Sequence, residues 1–462
     1  MNWIGWIFLS FCDQKQNNIT KNNQQQCKSE LIMLCIVILL CVPLCYGQGT
    51  QNQSLDKNVT INTSLHTGLT ERIGNFSLEL LFYSSRSLPN GHNFIMSPFT
   101  VWSALAVISE GASGETRKQI NRALRMPPRN SNITRTGFQN ITQWLQVNTG
   151  TVQLAKINTL FVDKERLPLH DFIETTRRFY DTEIIEVDFS DSENVTKILN
   201  EAVSKVTRGL IPTIVEPGYF SEPQMVLTSA LYFKGQWAMP FNSTSTAQMP
   251  FYDTNSKKIG DVNMMYNRHT YPFSNFKDLQ ARVIELPYGK EGRLSMLIML
   301  PNPGTTVENM FENFRNVNLD QFFAELTRSK EEYSEDEVDC YIPRFKIESN
   351  IDLTNILKND MGIVELFDPN KSKLPYMARM PLYVTKVIHK ARIEVTEEGT
   401  AAAAVTVAEF SNRIGVVQFI ANRPFSYVIV EKVTNSIVFA GFYSRVYNRY
   451  LTYLSNLSQS HL

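Results

Sequence analysis

The sequence predicts an α+β domain. Apolar residues recur at helical spacing over 71–88 and 97–124, near the start of the chain. Later segments are rich in β-branched and aromatic residues and are bounded by Gly, Pro and Asn, which is typical of strands. No low-complexity linker or internal repeat interrupts residues 69–447. Helices that precede strands within one uninterrupted stretch favour a single large mixed domain.

The helical region should divide at Gly111–Gly114, where two glycines enclose Ala and Ser. Ser113 is a candidate cap for the second helix, and Thr116 falls in its first turn. The segments predicted as strands are 152–163, 224–237, 281–289, 293–301, 386–399, 416–432 and 436–444.

Charge and cysteine usage argue against several classes of protein, although a local basic patch can still occur in a chain of neutral total charge. Lys and Arg total 45, as do Asp and Glu, so the formal net charge is zero; nucleic-acid binding needs a concentrated basic face. Only Cys340 lies in the body of the chain, so no disulfide framework can form there and no CxxC pair offers a zinc or redox site. Cys340 is therefore interpreted as a thiol without a functional role. The cysteines near the start are Cys12, Cys27, Cys35, Cys41 and Cys45.

The first residues look like a targeting segment. Leu31–Leu44 is an unbroken apolar run, shorter than the about 20 residues that cross a membrane, and it fits the core of a secretory signal with cleavage after Gly47. A signal anchor, or a true start at Met33, are the alternatives, because a long polar stretch precedes the run. Residues 1–47 are thus assigned to an extension and signal peptide, 48–67 to a disordered polar leader, 68–450 to the domain and 451–462 to a tail.

Sequons for N-glycosylation are dense after this segment. Nine sites of the form Asn-x-Ser/Thr follow the signal-like run, and together they favour the secretory route. We expect a secreted, extracellular glycoprotein. The acceptor residues are Asn52, Asn58, Asn62, Asn75, Asn132, Asn140, Asn194, Asn242 and Asn456.

The sequence lacks the common catalytic motifs. It has no HExxH, no GxxxxGK[ST] and no GxSxG. None of the six histidines has a Cys, His or acidic partner at metal-ligand spacing. We therefore predict neither an enzyme nor a metal or cofactor.

One segment, Glu397–Val407, is hard to explain as ordinary structure. It contains four consecutive alanines beside Thr and Val, and an exposed-looking stretch to Gly415 follows. Small side chains suit a loop and can also be buried in a central strand without clashes. Alternate residues of a strand share a face, and the set on one face is small and uncharged: Thr400, Ala402, Ala404 and Thr406. A short Ala-rich helix is the alternative for this segment.

Several motifs give these residues a family context. The segment resembles the hinge and reactive-centre loop of the serpin family, and the resemblance covers nearly all of residues 70–447. Each motif is weak alone, but they occur in the family's order. The motifs are NFIMSP at 93–98, AL at 104–105, GASGET at 111–116, ALYFKGQW at 230–237, YIPRFK at 341–346, HKA at 389–391 and NRPF at 422–425.

The resemblance implies helices packed around three β-sheets, with a reactive-centre loop at about 397–421 that can insert into the main sheet. The scissile residue is seventeenth from the hinge glutamate Glu397, which gives Arg413, and counting back from Asn422 agrees. The reactive bond is then Arg413–Ile414. The implied hinge residues are Glu397, Glu398, Gly399, Thr400, Ala401, Ala402, Ala403 and Ala404.

The resemblance also assigns residues that control opening of the sheet, namely Ser97, Ser229, His389 and Trp237. Two positions depart from the family pattern. Thr100 stands where Ser is usual, and Ser229 stands where Asn is usual. We expect a different arrangement of hydrogen bonds around His389 and altered energetics of opening, without loss of function.

The implied activity is suicide inhibition of a protease, since the hinge has no charged, bulky or proline residue among its alanines. Arg413 suits a trypsin-like serine protease, whose specificity pocket is acidic. The sequence Asn412–Gly415 resembles zymogen activation junctions and the cleavage site of arthropod prophenoloxidases. This suggests an extracellular cascade of the clotting, immune or melanisation type, and an arthropod source.

The resemblance also bears on partners. A heparin-like cofactor would need basic residues near 129–146, where only Arg129 and Arg135 occur, so no such site is predicted. We expect a monomer that forms a covalent complex with its protease and binds no nucleic acid. A non-inhibitory carrier with the same fold, or a membrane-anchored adhesion or storage glycoprotein, are the alternatives.

Overall fold

The computed structural model describes residues 63–87, 92–126, 131–209, 211–216, 218–219, 224–314, 317–332, 336–400 and 416–446, which belong to one unit, Asn62–Leu462. Helices dominate its first part, as predicted. They are α1 Thr63–Ser87, α2 Pro98–Gly111, α3 Gly114–Ala123, α4 Ser131–Trp144, α5 His170–Tyr180, α6 Ser192–Val206, α7 Val307–Phe314 and α8 Leu319–Glu332.

The strands form three sheets, which confirms the predicted α+β architecture. The main sheet has the order β11-β12-β4-β2-β3, a second sheet has the order β1-β16-β15-β9-β8-β7, and a third has the order β14-β10-β6-β5. Their bounds are β1 Phe94–Met96, β2 Val152–Asp163, β3 Thr182–Val187, β4 Met225–Gln236, β5 Ala247–Tyr252, β6 Lys258–His269, β7 Phe273–Phe276, β8 Ala281–Tyr288, β9 Leu294–Pro301, β10 Val338–Pro343, β11 Phe345–Asp352, β12 Lys386–Val395, β13 Gly399–Thr400, β14 Val417–Ile420, β15 Phe425–Glu431 and β16 Ser436–Tyr443.

The centre of the main sheet is a pair of parallel strands. Residues 386–392 of β12 pair with 226–232 of β4, while β4 runs antiparallel to β2 on its other side. Beyond this ladder, β12 no longer pairs with β4. The short strand β13 instead lies antiparallel to the end of β4. The sheet is therefore closed along most of its length and begins to accept an extra strand at one end.

Helix α2 is buried beneath the main sheet. Ser97 caps its start by accepting a hydrogen bond from the Thr100 N–H at 3.4 Å, and Pro98 occupies the first turn, where a missing N–H costs nothing. All its residues except Glu110 are buried. A helix that is apolar all round needs partners on every side, and this one contacts β2, β4 and β16.

Three expectations about local boundaries are corrected. Helix α1 begins at Thr63, so residues 63–67, assigned above to the disordered leader, are helical; adding a residue to a formed helix gains a hydrogen bond at little further cost. Ser113 stands at the cap position of α3, but its side chain makes no capping bond. The predicted strand 416–432 divides at Pro424, which lacks the N–H that a ladder needs.

The predicted strand 386–399 also divides. β12 ends at Val395, and the chain turns through mutual backbone bonds between Thr396 and Gly399, at 2.8 and 3.1 Å. Gly399 has φ 131°, which other residues rarely adopt, and a Cβ there would collide with the carbonyl oxygen of Gly235. Glycine at this position is what lets the chain reverse against β4.

Within the described residues, no helix is long and apolar enough to cross a membrane. The apolar run at 31–44 lies outside them, as do residues 1–62 as a whole and residues 447–462, which include the tail assigned to 451–462.

Candidate functional site

The hinge lies at the open end of the main sheet. Gly399 pairs with Gln236 and Thr400 with Gly235, in antiparallel register. Along this end of β4, Phe233 and Gly235 are buried, whereas Lys234 and Gln236 are partly exposed. Directly opposite residues of paired strands share a face, so the position opposite Gly235 belongs to the core face of the sheet.

The remaining hinge residues lie outside the described part of the chain, as does the reactive bond. These are Ala401–Ala404 and the bond Arg413–Ile414. We call the scissile residue of this bond, Arg413, the bait. The register at Thr400 still predicts where each would fall if the strand were continued along β4. Ala402 would face Phe233 on the core side, and Ala401 would face Lys234 on the outer side.

Trp237 anchors the turn from which the hinge emerges. Its indole N–H donates to the Thr396 carbonyl at 2.9 Å, and its backbone N–H donates to the Glu398 carbonyl at 2.9 Å. The buried ring stacks on Tyr288, with centroids 4.4 Å apart. These contacts fix the base of the hinge beside the end of β4.

Glu397, the first residue of the hinge, makes contacts with three residues elsewhere in the chain. The buried carboxylate accepts a hydrogen bond from the Thr246 hydroxyl at 2.8 Å and lies 3.7 Å from the guanidinium of Arg344. Its backbone carbonyl accepts from the N–H of Phe241 at 2.7 Å. The next residue, Glu398, has a buried Oε2 with no hydrogen-bond partner among the described residues. Sequence reasoning identified Glu397 but missed Thr246 and Arg344.

We expect Glu397→Lys to lower the free energy of unfolding by about 2 kcal/mol, because it buries an ammonium beside another cation and leaves Thr246 without its acceptor. Glu397→Gln is the control, since its amide oxygen can still accept from Thr246; it should cost less than about 1 kcal/mol. Urea unfolding of the two variants measures the difference. Equal losses would mean that the charge is unimportant.

A buried histidine joins α2 to both central strands. The backbone N–H of Ser97 donates to His389 Nε2 at 2.8 Å, so Nε2 is an acceptor and Nδ1 carries the ring proton. Nδ1 lies 2.7 Å from the Ser229 hydroxyl oxygen, which accepts from it across the β4–β12 ladder. Three of the four residues that the resemblance assigned to sheet opening therefore meet at one point, and the fourth, Trp237, lies at the hinge turn instead.

Both residues that depart from the family pattern make hydrogen bonds in this cluster. Ser229 still reaches His389 although its side chain is shorter than Asn. Thr100 donates its hydroxyl proton to the Ser97 carbonyl at 3.0 Å, within its own helix. Asn158 on β2, opposite Ser229, donates to the Ser103 hydroxyl at 2.9 Å. Asn158 was missed from sequence; a lone Asn inside a mostly apolar strand was the available signal.

Burial keeps His389 neutral. The ring is fully buried, and this desolvation lowers the pKa of His389 to about 3. Between pH 6.5 and pH 3 the unfolded chain therefore binds a proton that the folded chain does not, so the contribution of this residue to stability is lost as the pH falls through that window.

We expect the pH dependence of stability to depend on this residue. From pH 6.5 to 4.5, the wild type should lose about 2 to 3 kcal/mol more unfolding free energy than His389→Gln, whose amide does not titrate. Urea titrations at several pH values measure this, with Ser229→Ala as the control that perturbs the cluster but keeps the histidine. Parallel pH profiles for wild type and His389→Gln would contradict the assignment.

The predicted glycosylation sites differ in exposure. Asn132 and Asn194 are exposed, near the starts of α4 and α6. The side chains of Asn75, Asn140 and Asn242 are half-buried, and Asn242 accepts a hydrogen bond from the Thr244 N–H at 3.0 Å. The first group is the better placed to carry glycans in the folded protein. The remaining acceptors, Asn52, Asn58, Asn62 and Asn456, lie outside the described residues.

Other residues that the sequence singled out stand apart from the hinge. Cys340 is free and buried, and burial raises the pKa of its thiol far above the usual range. The guanidinium of Arg135 makes a bidentate ion pair with the carboxylate of Glu110: its Nε lies 2.9 Å from Oε1 and its Nη2 lies 2.8 Å from Oε2. No group of His, Cys, Asp or Glu that could hold a metal ion occurs in the described residues.

Comparison with known proteins gives this architecture its context. The family model for serpin (serine protease inhibitor) matches residues 71–448. The chain belongs to the serpin family. Leukocyte elastase inhibitor from Bos taurus is 34% identical over 373 residues, which cover 79% of this chain and 96% of that protein. Plasminogen activator inhibitor 2 from Homo sapiens is 30% identical over 409 residues, covering 80% and 97%.

Solved structures agree with this membership. Human thyroxine-binding globulin has a TM-score of 0.72 at 25% identity, covering 82% of this chain and 98% of its own. Human glycosylated kallistatin has a TM-score of 0.72 at 26% identity, with the same coverage. This serpin is thus a member of a protease-inhibitor family and not of an enzyme class.

Proposed function

We propose that this serpin is a secreted suicide-substrate inhibitor of trypsin-like serine proteases, cleaved at Arg413–Ile414. The observation that carries the proposal is the hinge. Thr400 already pairs with Gly235 on the core face of β4, and the residues that follow are small enough to continue along that strand. Strand addition to a sheet provides many backbone hydrogen bonds at once.

The first step is ordinary proteolysis. The serine oxygen of the protease attacks the carbonyl carbon of Arg413, and the carbon–nitrogen bond to Ile414 breaks. Ile414 leaves as a free amine that takes up the proton released by the serine. Arg413 remains linked to the protease as an ester, which water would normally hydrolyse. The chain on the hinge side is now free to move.

Insertion requires the central ladder to open. The pairs between 386–392 and 226–232 separate, and the new strand makes a ladder with each of them. Because neighbouring strands lie about 4.8 Å apart, Ser229 and His389 move from direct contact to opposite sides of the new strand. The bond between them breaks, so this cluster opposes opening until cleavage releases the loop.

The consequence for the protease follows from distance. The segment from Thr400 through Arg413 contains fourteen residues. In a strand they span about 46 Å. The protease is dragged this far while still acylated, and an active site that needs exact positioning of its groups is distorted before water completes deacylation.

Specificity comes from the bait. Arg413 places a guanidinium where a trypsin-like protease has an acidic pocket. The relatives named as elastase inhibitor and plasminogen activator inhibitor are named for different targets, so trypsin-like specificity here rests on Arg413 alone. The resemblance of Asn412–Gly415 to activation junctions supports a target that activates other proteins in a cascade.

Secretion rests on the sequence. The apolar run Leu31–Leu44 and the dense sequons after it support passage through the secretory route. The exposed positions of Asn132 and Asn194 are compatible with attached glycans. Detection of glycans and of a mature N-terminus after Gly47 tests this point.

A carrier role is the second candidate. The similar fold of thyroxine-binding globulin, a structure described as a complex with thyroxine, motivates it. The small, uncharged residues of the hinge from Gly399 to Ala404 favour inhibition over this role.

The proposal is tested by mixing the purified mature chain with trypsin. We expect a band on a denaturing gel that survives boiling, and a released fragment that starts at Ile414 by mass spectrometry. Cleavage at this bond without a stable band would instead mean a substrate or carrier. Cleavage elsewhere would mean that the assigned register of the loop is wrong.

A further inference from the structure

An apolar ridge lies on two neighbouring segments of the chain. Nine large apolar side chains are exposed in the described residues, and the three most exposed are Tyr376 at 58%, Leu167 at 56% and Met380 at 54%. The next, Val417, is 46% exposed. We call Leu167, Tyr376 and Met380 the apolar ridge. Single exposed apolar residues are normal, but here the three most exposed ones of the described residues lie on two segments that neighbour each other in the fold.

The two segments are held together by backbone bonds. Pro168 and Ala378 form an antiparallel bridge, and the N–H of Leu169 donates to the Met377 carbonyl at 2.7 Å. The guanidinium of Arg166 donates to the Pro381 carbonyl at 2.7 Å. The ridge is therefore a fixed feature of the surface and not a pair of independent loops.

The ridge stands at the end of the main sheet that is remote from the hinge. β2 ends at Asp163, whose N–H donates to the carbonyl of Gln224 just before β4, and Thr385 just before β12 donates to Met225. Arg166 follows Asp163 by three residues, and Pro381 precedes Lys386 by five. At a maximum of about 3.5 Å per residue, Arg166 and Pro381 lie within about 18 Å of these strand ends.

Insertion would bring the acylated protease to this end. Thr400 pairs with Gly235, so continued antiparallel pairing places residue 410 opposite Met225, the first residue of β4. Arg413 then extends three residues, about 10 Å, beyond the strand. A protease domain of about 220 residues has a radius of gyration of about 17 Å, so a protease linked to Arg413 can reach the region in which the ridge lies.

We propose that the apolar ridge binds the trapped, distorted trypsin-like protease and prolongs the life of the complex, an inference that rests on the proposed inhibitory function. A protein whose packing is disrupted exposes apolar surface that the native protein buries. The ridge offers apolar area to that surface and little to a native protease. It thereby favours the distorted state over the native state, in which water can hydrolyse the ester between Arg413 and the protease serine.

The test compares two triple variants with the wild type, using trypsin as the probe. One variant carries Leu167→Ser, Tyr376→Ser and Met380→Ser. The matched control carries Ile133→Ser, Ile259→Ser and Val433→Ser, which remove three exposed apolar residues outside the ridge segments. Thermal unfolding checks that both fold. The measurements are the yield of boiling-resistant complex and the rate at which active trypsin is released from it.

We expect equal yields, and release about tenfold faster from the ridge variant than from the wild type or the control, which corresponds to about 1.4 kcal/mol. Trypsin trapped by the ridge variant should also resist added protease better, because more of it is native. Equal release rates would overturn the ridge proposal while leaving inhibition intact. A wild type that forms no covalent complex would overturn both. If the wild type sediments as a dimer that only the ridge variant abolishes, the ridge serves self-association, and the proposal is wrong.

Discussion

Replacing Arg413 by Glu should abolish inhibition of trypsin. The bait guanidinium pairs with the acidic residue of the specificity pocket, whereas a carboxylate there meets a like charge in a desolvated site. We expect the association rate constant to fall by about 10⁴-fold, which corresponds to about 5.5 kcal/mol. The measurement is the progressive loss of trypsin activity, followed under pseudo-first-order conditions.

Arg413→Lys is the matched control, because it keeps the cation and the length of the side chain. Its association rate should stay within about tenfold of the wild type. Both variants should unfold at the same denaturant concentration as the wild type, since the change affects recognition and not the core. Undiminished complex formation by Arg413→Glu would show that another residue is the bait, and the new N-terminus of the released fragment would identify it.

Placing one carboxylate on the core face of the inserting strand should convert the inhibitor into a substrate. In the register that Thr400 establishes, Ala402 falls opposite Phe233, which is buried. An unpaired carboxylate at that position costs several kcal/mol when the strand inserts. About 4 kcal/mol slows insertion by about 10³-fold, so deacylation finishes first.

Ala401→Glu is the control for Ala402→Glu, because the adjacent residue falls opposite Lys234 on the partly exposed face. A carboxylate there has a cation directly across the strand. We expect Ala401→Glu to remain an inhibitor with a stoichiometry near one, while Ala402→Glu consumes more than about ten molecules per trypsin inactivated. The same stoichiometry for both variants would show that the loop does not insert in this register, or does not insert at all.

The contrast between these two alanines shows which structural features can be predicted from the sequence and which cannot. Alternation along a strand predicted that Ala402 and Thr400 share a face, but not which face is buried. The pairing of Thr400 with Gly235, next to buried Phe233, decides that point. Likewise, the motif around Pro343 predicted family membership but did not identify Arg344 as the cation near Glu397. Contacts between residues far apart in the chain leave no periodic signal.

The sequence by itself determined the fold class and the family, and it predicts the hinge and the bait bond. Periodicity and turn residues are local properties, and the order of the motifs is read directly from the chain. The tertiary structure decided the tautomer of His389, the role of Asn158 beside it, and the position of the apolar ridge at the far end of the main sheet. Each of these depends on strands and helices that come together only when the core forms, because burial and partner geometry, not residue type, set the chemistry of a side chain.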